Sequence, residues 1–362
     1  MNDHKISFKT NLIIAVFMAK KKRSYIGCFV LIVLLALIVI AGFTGYYVFV
    51  KPNVQGNKRI HIYIPTDSTY SNILVQLQDK NAIQDIRSFE VVAQMKDLPY
   101  KIKSGHYVLS PGMNNRQIVN LFRAGLQEPV KLVIYNIRTK DEFAGLVGRT
   151  LELDSAFFLQ QLNNDSFCKS LGLDTTTILT HFIVDNYELW WNTSFDKFME
   201  KMTAANNRFW NEDRTAKASK LNLKKHEVTT LATIVEKEAI FNKELPTIAG
   251  VYLNRLKIGM PLQADPTLVF ALRDFTTKRV TNYHKDFVSP YNTYLNTGLP
   301  PGPICMPRKI SVDAVLNAEQ HQYLYFCANP DMSGYSIFSK SYEDQMRVAA
   351  QYRRKLDAMN IR

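Results

Sequence analysis

Residues 25–50 form an uncharged, strongly apolar run that follows a basic cluster at residues 20–23. A bilayer core of about 30 Å needs about 20 apolar helical residues, so this run is long enough to cross a membrane. It is longer than the apolar core of a usual signal peptide, and no small-x-small cleavage site closes it, which favours an uncleaved anchor. The basic cluster predicts a cytoplasmic N-terminus, with the rest of the chain in the periplasm or outside the cell.

Length and composition limit what the remaining residues can do. The chain has 362 residues, which suffices for two or three domains besides the anchor. Its formal net charge of +13 would suit an anionic partner, but no glycine-rich phosphate loop, zinc spacing or basic helix motif accompanies it. The four cysteines, at positions 28, 168, 305 and 327, have no close spacing. We therefore expect no nucleic acid partner, no metal site and no cofactor.

The pattern after the anchor predicts a small α+β module. Residues 59–65 alternate like a strand and end at a proline, 71–80 and 88–96 are typical of amphipathic helices, 104–109 predict a second strand, and 115–124 a further helix. No catalytic cluster is evident, so the module is either structural or a carbohydrate- or wall-binding unit. His61 and His106 are interpreted as isolated surface or strand residues.

A larger α+β region follows. Residues 129–135 and 323–328 predict strands, the second of them buried, and helices are expected at 140–149, 155–162, 194–210, 245–256 and 342–359. The strand-like segment 182–191 carries Trp190 and Trp191, which could form a sugar-stacking wall or pack in the core. The predicted division is a cytoplasmic segment (1–24), a transmembrane helix (25–50), a linker (51–58), the small module (59–126) and the larger domain (127–362).

Residues 229–240 contain neither glycine nor proline, and their apolar positions recur at helical spacing. On a helical wheel Leu231 and Val235 share a face with Glu238, whereas Glu236 lies near its edge and Thr233 and Lys237 point away. A carboxyl group within an apolar stripe must be paired or kept protonated. The second state suits a general acid, although a core salt bridge would explain the pattern equally well.

From residue 259 the chain becomes rich in turns. Residues 261–267 and 289–294 hold several hydrogen-bonding side chains between prolines, and 298–303 (Gly-Leu-Pro-Pro-Gly-Pro) is too rigid for a helix or a central strand. Ordered polar loops of this kind often line a cleft, although each could be a plain surface connection.

These segments together resemble one known family. Residues 231–239, 251–256, 258–267, 289–294 and 298–303 follow, in order, the motifs of the YceG-like endolytic murein transglycosylases. The resemblance covers roughly residues 60–355. It implies a protein anchored in the inner membrane by a single span, with a LysM-like subdomain and a catalytic domain.

The resemblance also implies an activity and a site. The expected enzyme is a lyase that cleaves the MurNAc–GlcNAc bond inside peptidoglycan strands, leaves 1,6-anhydro-MurNAc ends and stops strand growth beside wall-synthesis enzymes. It assigns the catalytic role to Glu238. Substrate contacts are expected from motif positions that could instead hold loop geometry: Glu236, Gln263, Asp265, Tyr291 and Asn292.

Two other functions stay open at this point. Ordinary glycosidases use two carboxyl groups, so the chain could be a hydrolytic muramidase with Glu238 as acid and Asp265 as the second carboxylate. It could also be a non-enzymatic wall-binding scaffold in which Glu238 is paired and inert. A transglycosylase needs only one carboxyl group, because the 6-hydroxyl of the sugar replaces water.

Overall fold

The computed structural model describes residues 3–277 and 280–359, and the chain divides into two compact units, 1–128 and 129–362. Both mix helices with small antiparallel sheets, which confirms the predicted α+β class. The elements of the first unit are α1 (Asp3–Phe49), β1 (Ile60–Ile64), α2 (Tyr70–Asp79), α3 (Ile86–Met95), β2 (Gly105–Leu109) and α4 (Asn115–Ala124).

Helix α1 contains the apolar run. Its segment Ile26–Phe49 has a mean hydropathy of 3.2 and is, among the described residues, the one stretch long and apolar enough to cross a membrane. Large side chains along it are exposed, Phe43 to 70%, which suits lipid rather than water. The side chains of the basic cluster at 20–23, on which the predicted orientation depends, lie outside the described residues.

The rest of the first unit is built on one strand pair. β1 runs antiparallel to β2 with Ile62 opposite Tyr107. Alternation along β1 turns Ile62 and Ile64 inward, where both are fully buried with Phe89 and Phe122 from the flanking helices. α4 has the bounds predicted from the sequence, because Asn114 caps its first turn and Gly125 ends it at a φ of 73°.

His61 and His106 lie on β1 and β2, as the strand interpretation predicted, but they are not isolated from each other. Their rings stack 5.1 Å apart, and His61 Nδ1 lies 2.8 Å from His106 Nε2. The antiparallel register explains the contact: His106 lies opposite Tyr63, whose ring also stacks on it, and His61 is two residues away on the same face.

The second unit holds two more strand pairs and most of the helices. β3 pairs with β4, and β5 pairs with β6, both antiparallel. Its elements are β3 (Val130–Val133), α5 (Lys140–Thr150), α6 (Ser155–Leu162), α7 (Asp165–Ser170), β4 (Asn186–Leu189), α8 (Phe195–Phe209), α9 (Glu212–Lys220), α10 (Lys225–Glu238), α11 (Leu245–Lys257), α12 (Asp265–Leu272), α13 (Asn282–Lys285), α14 (Lys309–Leu316), β5 (Tyr325–Ala328), β6 (Ser336–Ser339) and α15 (Tyr342–Ala358).

α10 is the central helix of this unit. Each residue from Val228 to Val235 is buried, so the helix is covered on all sides rather than along one stripe. Thr233, predicted to point away, is fully buried: its hydroxyl donates to the carbonyl of Thr230 and accepts from the amide of Ile304. A hydroxyl bonded to its own helix can enter a core, which the helical wheel does not take into account.

Two further predictions, on a loop and on the burial of a strand, are wrong. Residues 265–267 belong to α12 rather than to a loop, because Pro266 lies in the first helical turn, where its missing N–H is not needed. The strand predicted to be buried at 323–328 is β5, and its residues are only partly covered. It pairs with a single neighbour, β6, so little of it reaches the core.

Candidate active site

Glu238 is the last residue of α10. Ala239 has an extended backbone and Ile240 is 73% exposed, so the helix ends before the limit of 240 predicted from the sequence. The carboxyl group therefore leaves the buried helix at its C-terminal end. The unpaired carbonyls at that end disfavour a further negative charge.

The Glu238 side chain lines an open cavity of about 380 Å³, a volume that can hold a sugar unit. Asp265 and Lys237 line the same cavity, and Arg138 lies over the ring of Phe275 at 4.5 Å. The complete lining is Arg138, Lys237, Glu238, Asp265, Pro266, Val269, Phe270, Phe275, Thr277, Val280 and Ile304. Apolar walls with a few convergent charged groups are typical of a ligand site.

The pKa of Glu238 is raised to about 7. Burial is the largest cause, since it disfavours the charged carboxylate, and the negative charge of Asp265 adds to it. A hydrogen bond from Tyr252 and the positive charge of Arg255 act in the opposite direction without reversing the shift. Glu238 is therefore divided between its protonated and ionised forms near neutral pH, as a group that first gives and then takes a proton requires.

Helix α11 supplies the groups that support Glu238. The Tyr252 hydroxyl donates to Oε1 of Glu238 at 3.3 Å, which leaves Oε2 to carry the proton. Burial, together with the nearby Glu238 charge, raises the pKa of Tyr252, so this hydroxyl stays a donor. One turn further on, Arg255 is 6% exposed and donates to the carbonyls of Leu324 and Leu262 at 2.7 and 2.6 Å.

Glu236 has a different position from Glu238. One of its oxygens accepts from the amide of Arg308 at 2.6 Å and from the hydroxyl of Ser311 at 2.8 Å, and the other pairs with the Arg308 guanidinium at 3.3 Å. These bonds engage the residue that precedes α14 and the first turn of α14, and so join α14 to α10. Both oxygens are thus bonded within the fold, away from the cavity lining.

The two polar loops predicted to line a cleft are bonded to each other. Gln263 donates its amide to the carbonyl of Thr293, and the Thr293 hydroxyl accepts from the amide of Ala264. This contact sets the start of α12 and hence the position of Asp265, which accepts a hydrogen bond from the Tyr294 hydroxyl. Of these two segments, the first reaches the cavity lining, through Asp265 and Pro266 at the start of α12.

The remaining motif residues differ in exposure. Asn292 is fully buried: its amide donates to the carbonyls of Lys285 and Phe287, and its oxygen accepts from Tyr294. The structure thus supports the loop-holding alternative for Asn292. Tyr291 packs on Phe270 at 4.8 Å, behind the cavity wall. Gln263 is exposed at a strained φ of 53° and lies outside the lining.

Sequence reasoning missed several cavity residues. Lys237, predicted to point away, lines the cavity and donates to the Asn136 side chain at 3.2 Å, a partner that no helical wheel contains. Arg138 and Phe275 come from segments to which the sequence assigned no role. Trp190 and Trp191, considered as a stacking wall, are absent from the lining.

Comparison with known proteins places this arrangement in a family. A sequence profile described as the YceG-like family matches residues 62–351. The chain belongs to the YceG-like family. The match includes every element that forms the cavity around Glu238.

This YceG-like chain is similar to proteins that have names and to one whose crystal structure has been solved. The chain is 28% identical over 314 residues to an endolytic murein transglycosylase of Bacillus subtilis, covering 81% of this chain and 84% of that protein. It is 26% identical to an endolytic murein transglycosylase of Streptococcus pneumoniae, covering 91% of this chain but 66% of that longer protein. A 2.6 Å crystal structure of a yceG-like protein from Listeria monocytogenes matches with 30% identity and a TM-score of 0.56, covering 81% of this chain and 99% of the other.

Proposed function

We propose that this protein is an endolytic peptidoglycan lytic transglycosylase, a lyase that uses Glu238 as its one catalytic acid and base. The observation that carries the proposal is a carboxyl group with a pKa of about 7 at the edge of an open cavity. The names of the Bacillus and Streptococcus relatives support the reaction class.

The chemistry proceeds in two proton transfers. Protonated Glu238 gives its proton to the oxygen that links MurNAc C1 to GlcNAc, and this bond breaks as positive charge develops at C1. The 6-hydroxyl of the same MurNAc then bonds to C1, and its proton returns to the Glu238 carboxylate. The products are a 1,6-anhydro-MurNAc end and a GlcNAc hydroxyl, and no water is consumed.

A hydrolytic muramidase is the second candidate, because one specific observation favours it. Asp265 lines the same cavity as Glu238 and acts on its pKa, so a second carboxylate is close enough to influence the first. In an inverting hydrolase such a group would activate water. The hydrogen bond from Tyr294 occupies one oxygen of Asp265, which favours a positioning role for this residue.

The ends of the digested strands distinguish the two candidates. Purified glycan strands treated with the full-length protein are expected to give fragments that end in 1,6-anhydro-MurNAc, each lighter by one water than a reducing end. Mass spectrometry of the fragments measures this difference. Reducing MurNAc ends as the main product would support the hydrolase and contradict the lyase.

The same proposal includes the location of the enzyme in the cell. The apolar segment Ile26–Phe49 would anchor it in the inner membrane as a single span, with residues 1–24 in the cytoplasm and the catalytic domain, 127–362, outside. Residues 59–126 would form the LysM-like subdomain and contribute to wall binding. The partners would be peptidoglycan strands and the wall-synthesis enzymes whose nascent strands it ends.

A further inference from the structure

A second and larger cavity, of about 680 Å³, opens in the catalytic unit away from Glu238. Its walls come from β3, β4 and α8, together with the first turns of α9 and α14. It shares no lining residue with the cavity around Glu238, and nothing in the proposed reaction uses it.

Basic residues outnumber acidic ones in the lining of this second cavity. Two of the basic groups are paired: Arg214 binds both oxygens of Asp313, at 2.7 and 3.0 Å, and Lys309 pairs with Asp185. The five basic lining residues are Lys131, Lys201, Arg208, Arg214 and Lys309.

Positive charge remains after these pairs are formed. Lys201 donates to the backbone carbonyl of Glu188, and the Glu188 carboxylate balances one further charge of the lining. In the part of the chain that the structure describes, the exposed side chains of Lys131, the cross-strand neighbour of Glu188, and of Arg208 form no hydrogen bond or ion pair. They are thus free to bind an anionic ligand.

The lining of the second cavity also has an apolar part. Ile183, Phe209 and the small residues Ala204 and Ala205 contribute uncharged surface to it. A bare inorganic anion would gain nothing from this apolar surface. A short peptide with free carboxylates and small aliphatic side chains would use both features.

Residues next to the two linings are bonded to each other within the fold. Glu236, two residues before Glu238, bonds the amide of Arg308, and the next residue, Lys309, lines the second cavity. An extended peptide advances about 3.3–3.6 Å per residue, so four or five residues span about 15 Å. A peptide attached to a sugar at Glu238 can therefore reach basic groups that lie within about 15 Å of that sugar.

We propose that the second cavity binds the short acidic peptide carried by the MurNAc units of the glycan strand. The inference rests on the proposed function, since it assumes a peptidoglycan strand at Glu238. Lys131 and Arg208 bind the peptide carboxylates, and Ala204 and Ala205 contact its aliphatic side chains. The cavity thereby makes the enzyme prefer strands whose peptides are intact.

The test reverses the two unpaired charges in the full-length protein. The double variant Lys131→Glu/Arg208→Glu is compared with Lys197→Glu/Lys220→Glu, which removes the same charge from exposed positions on α8 and α9 outside the cavity. Substrates are glycan strands with intact peptides and strands from which an amidase has removed the peptides. We expect the preference of the wild type for peptide-bearing strands to fall about tenfold in the cavity variant, through KM, and to persist in the control.

A binding measurement keeps the proposal testable if the protein cleaves neither substrate. A pentapeptide with free carboxylates, and the same peptide with its carboxylates amidated, are titrated against the wild type and both variants. Selective binding of the acidic form, lost about tenfold only in the cavity variant, supports the proposal even if the proposed reaction is wrong. Equal binding of the two peptides, equal losses in both variants, or a wild type without preference for peptide-bearing strands overturns it.

Discussion

Glu238→Gln is expected to reduce glycan cleavage by about 10²–10⁴-fold, because it removes the one group placed to give and take the proton. Glutamine keeps the size of the side chain and can still accept the hydrogen bond from Tyr252. The rate is measured from the release of new strand ends, with the amount of folded protein determined by circular dichroism. If the folded variant cleaved at the wild-type rate, Glu238 would not be catalytic. The alternative of a non-enzymatic wall-binding scaffold would then be favoured.

The same substitution should stabilise the fold at neutral and alkaline pH. Folded Glu238 keeps its proton up to a pH of about 7, whereas the unfolded chain releases it near 4.5, so the free energy of unfolding falls as the pH rises between these values. The glutamine of the variant carries no charge, and the gain reaches at most about 3 kcal/mol above that window. Below the unfolded pKa the two proteins should unfold alike. Urea denaturation of both proteins across this pH range measures the difference.

Glu236→Gln is the matched control for this experiment. It makes the same chemical change two residues earlier on α10, where the carboxylate bonds Arg308 and Ser311. We expect it to lower the free energy of unfolding and to leave most of the activity per folded molecule. If the folded Glu236→Gln variant lost as much cleavage as Glu238→Gln, the assignment of the catalytic acid to Glu238 alone would be wrong.

Arg255→Met is expected to destabilise the protein by at least about 3 kcal/mol. The guanidinium is almost fully buried, and burial lowers the pKa of Arg255, but it bonds the carbonyls of Leu324, Leu262 and Pro261. Methionine fills similar space but leaves these buried carbonyls without a donor. The loop that leads to Asp265 loses its support as well, so activity should fall with stability. Chemical denaturation with urea measures the change.

Lys257→Met separates this effect from a general loss of charge on α11. Lys257 lies two residues further along the same helix and is exposed. Its replacement should change the free energy of unfolding by less than about 0.5 kcal/mol. Similar losses in the two variants would show that the Arg255 bonds do not hold β5 and the cleft loop together.

Local sequence signals predicted much of the fold. The apolar spacing of residues 115–124 predicted α4 with its observed bounds, and alternation at 59–65 predicted β1 to within one residue at each end. The helical pattern of residues 229–240 predicted that Glu238 lies among apolar side chains. The raised pKa of Glu238 agrees with that prediction. Each of these features depends on residues within one or two turns of each other.

Features that depend on distant residues could not be predicted. Buried Thr233 is hydrogen-bonded to Ile304, and Glu236 is hydrogen-bonded to Arg308. In both pairs the partners are about 70 positions apart in the chain. The cavity lining combines Arg138, Lys237 and Phe275, whose proximity exists only in the folded chain. A motif position such as Asn292 does not reveal whether it contacts a substrate or holds its own loop until its partners are known.

The surroundings of Glu238 raise the pKa of its carboxyl group to about 7, and the proposed reaction depends on this value. The full-length protein is labelled with carbon-13 at its glutamate carboxyl groups and titrated by infrared or NMR spectroscopy, and the spectrum of Glu238→Gln is subtracted to isolate Glu238. We expect a transition at a pKa of about 7. A transition at or below 4.5, the ordinary value for glutamate, would contradict it.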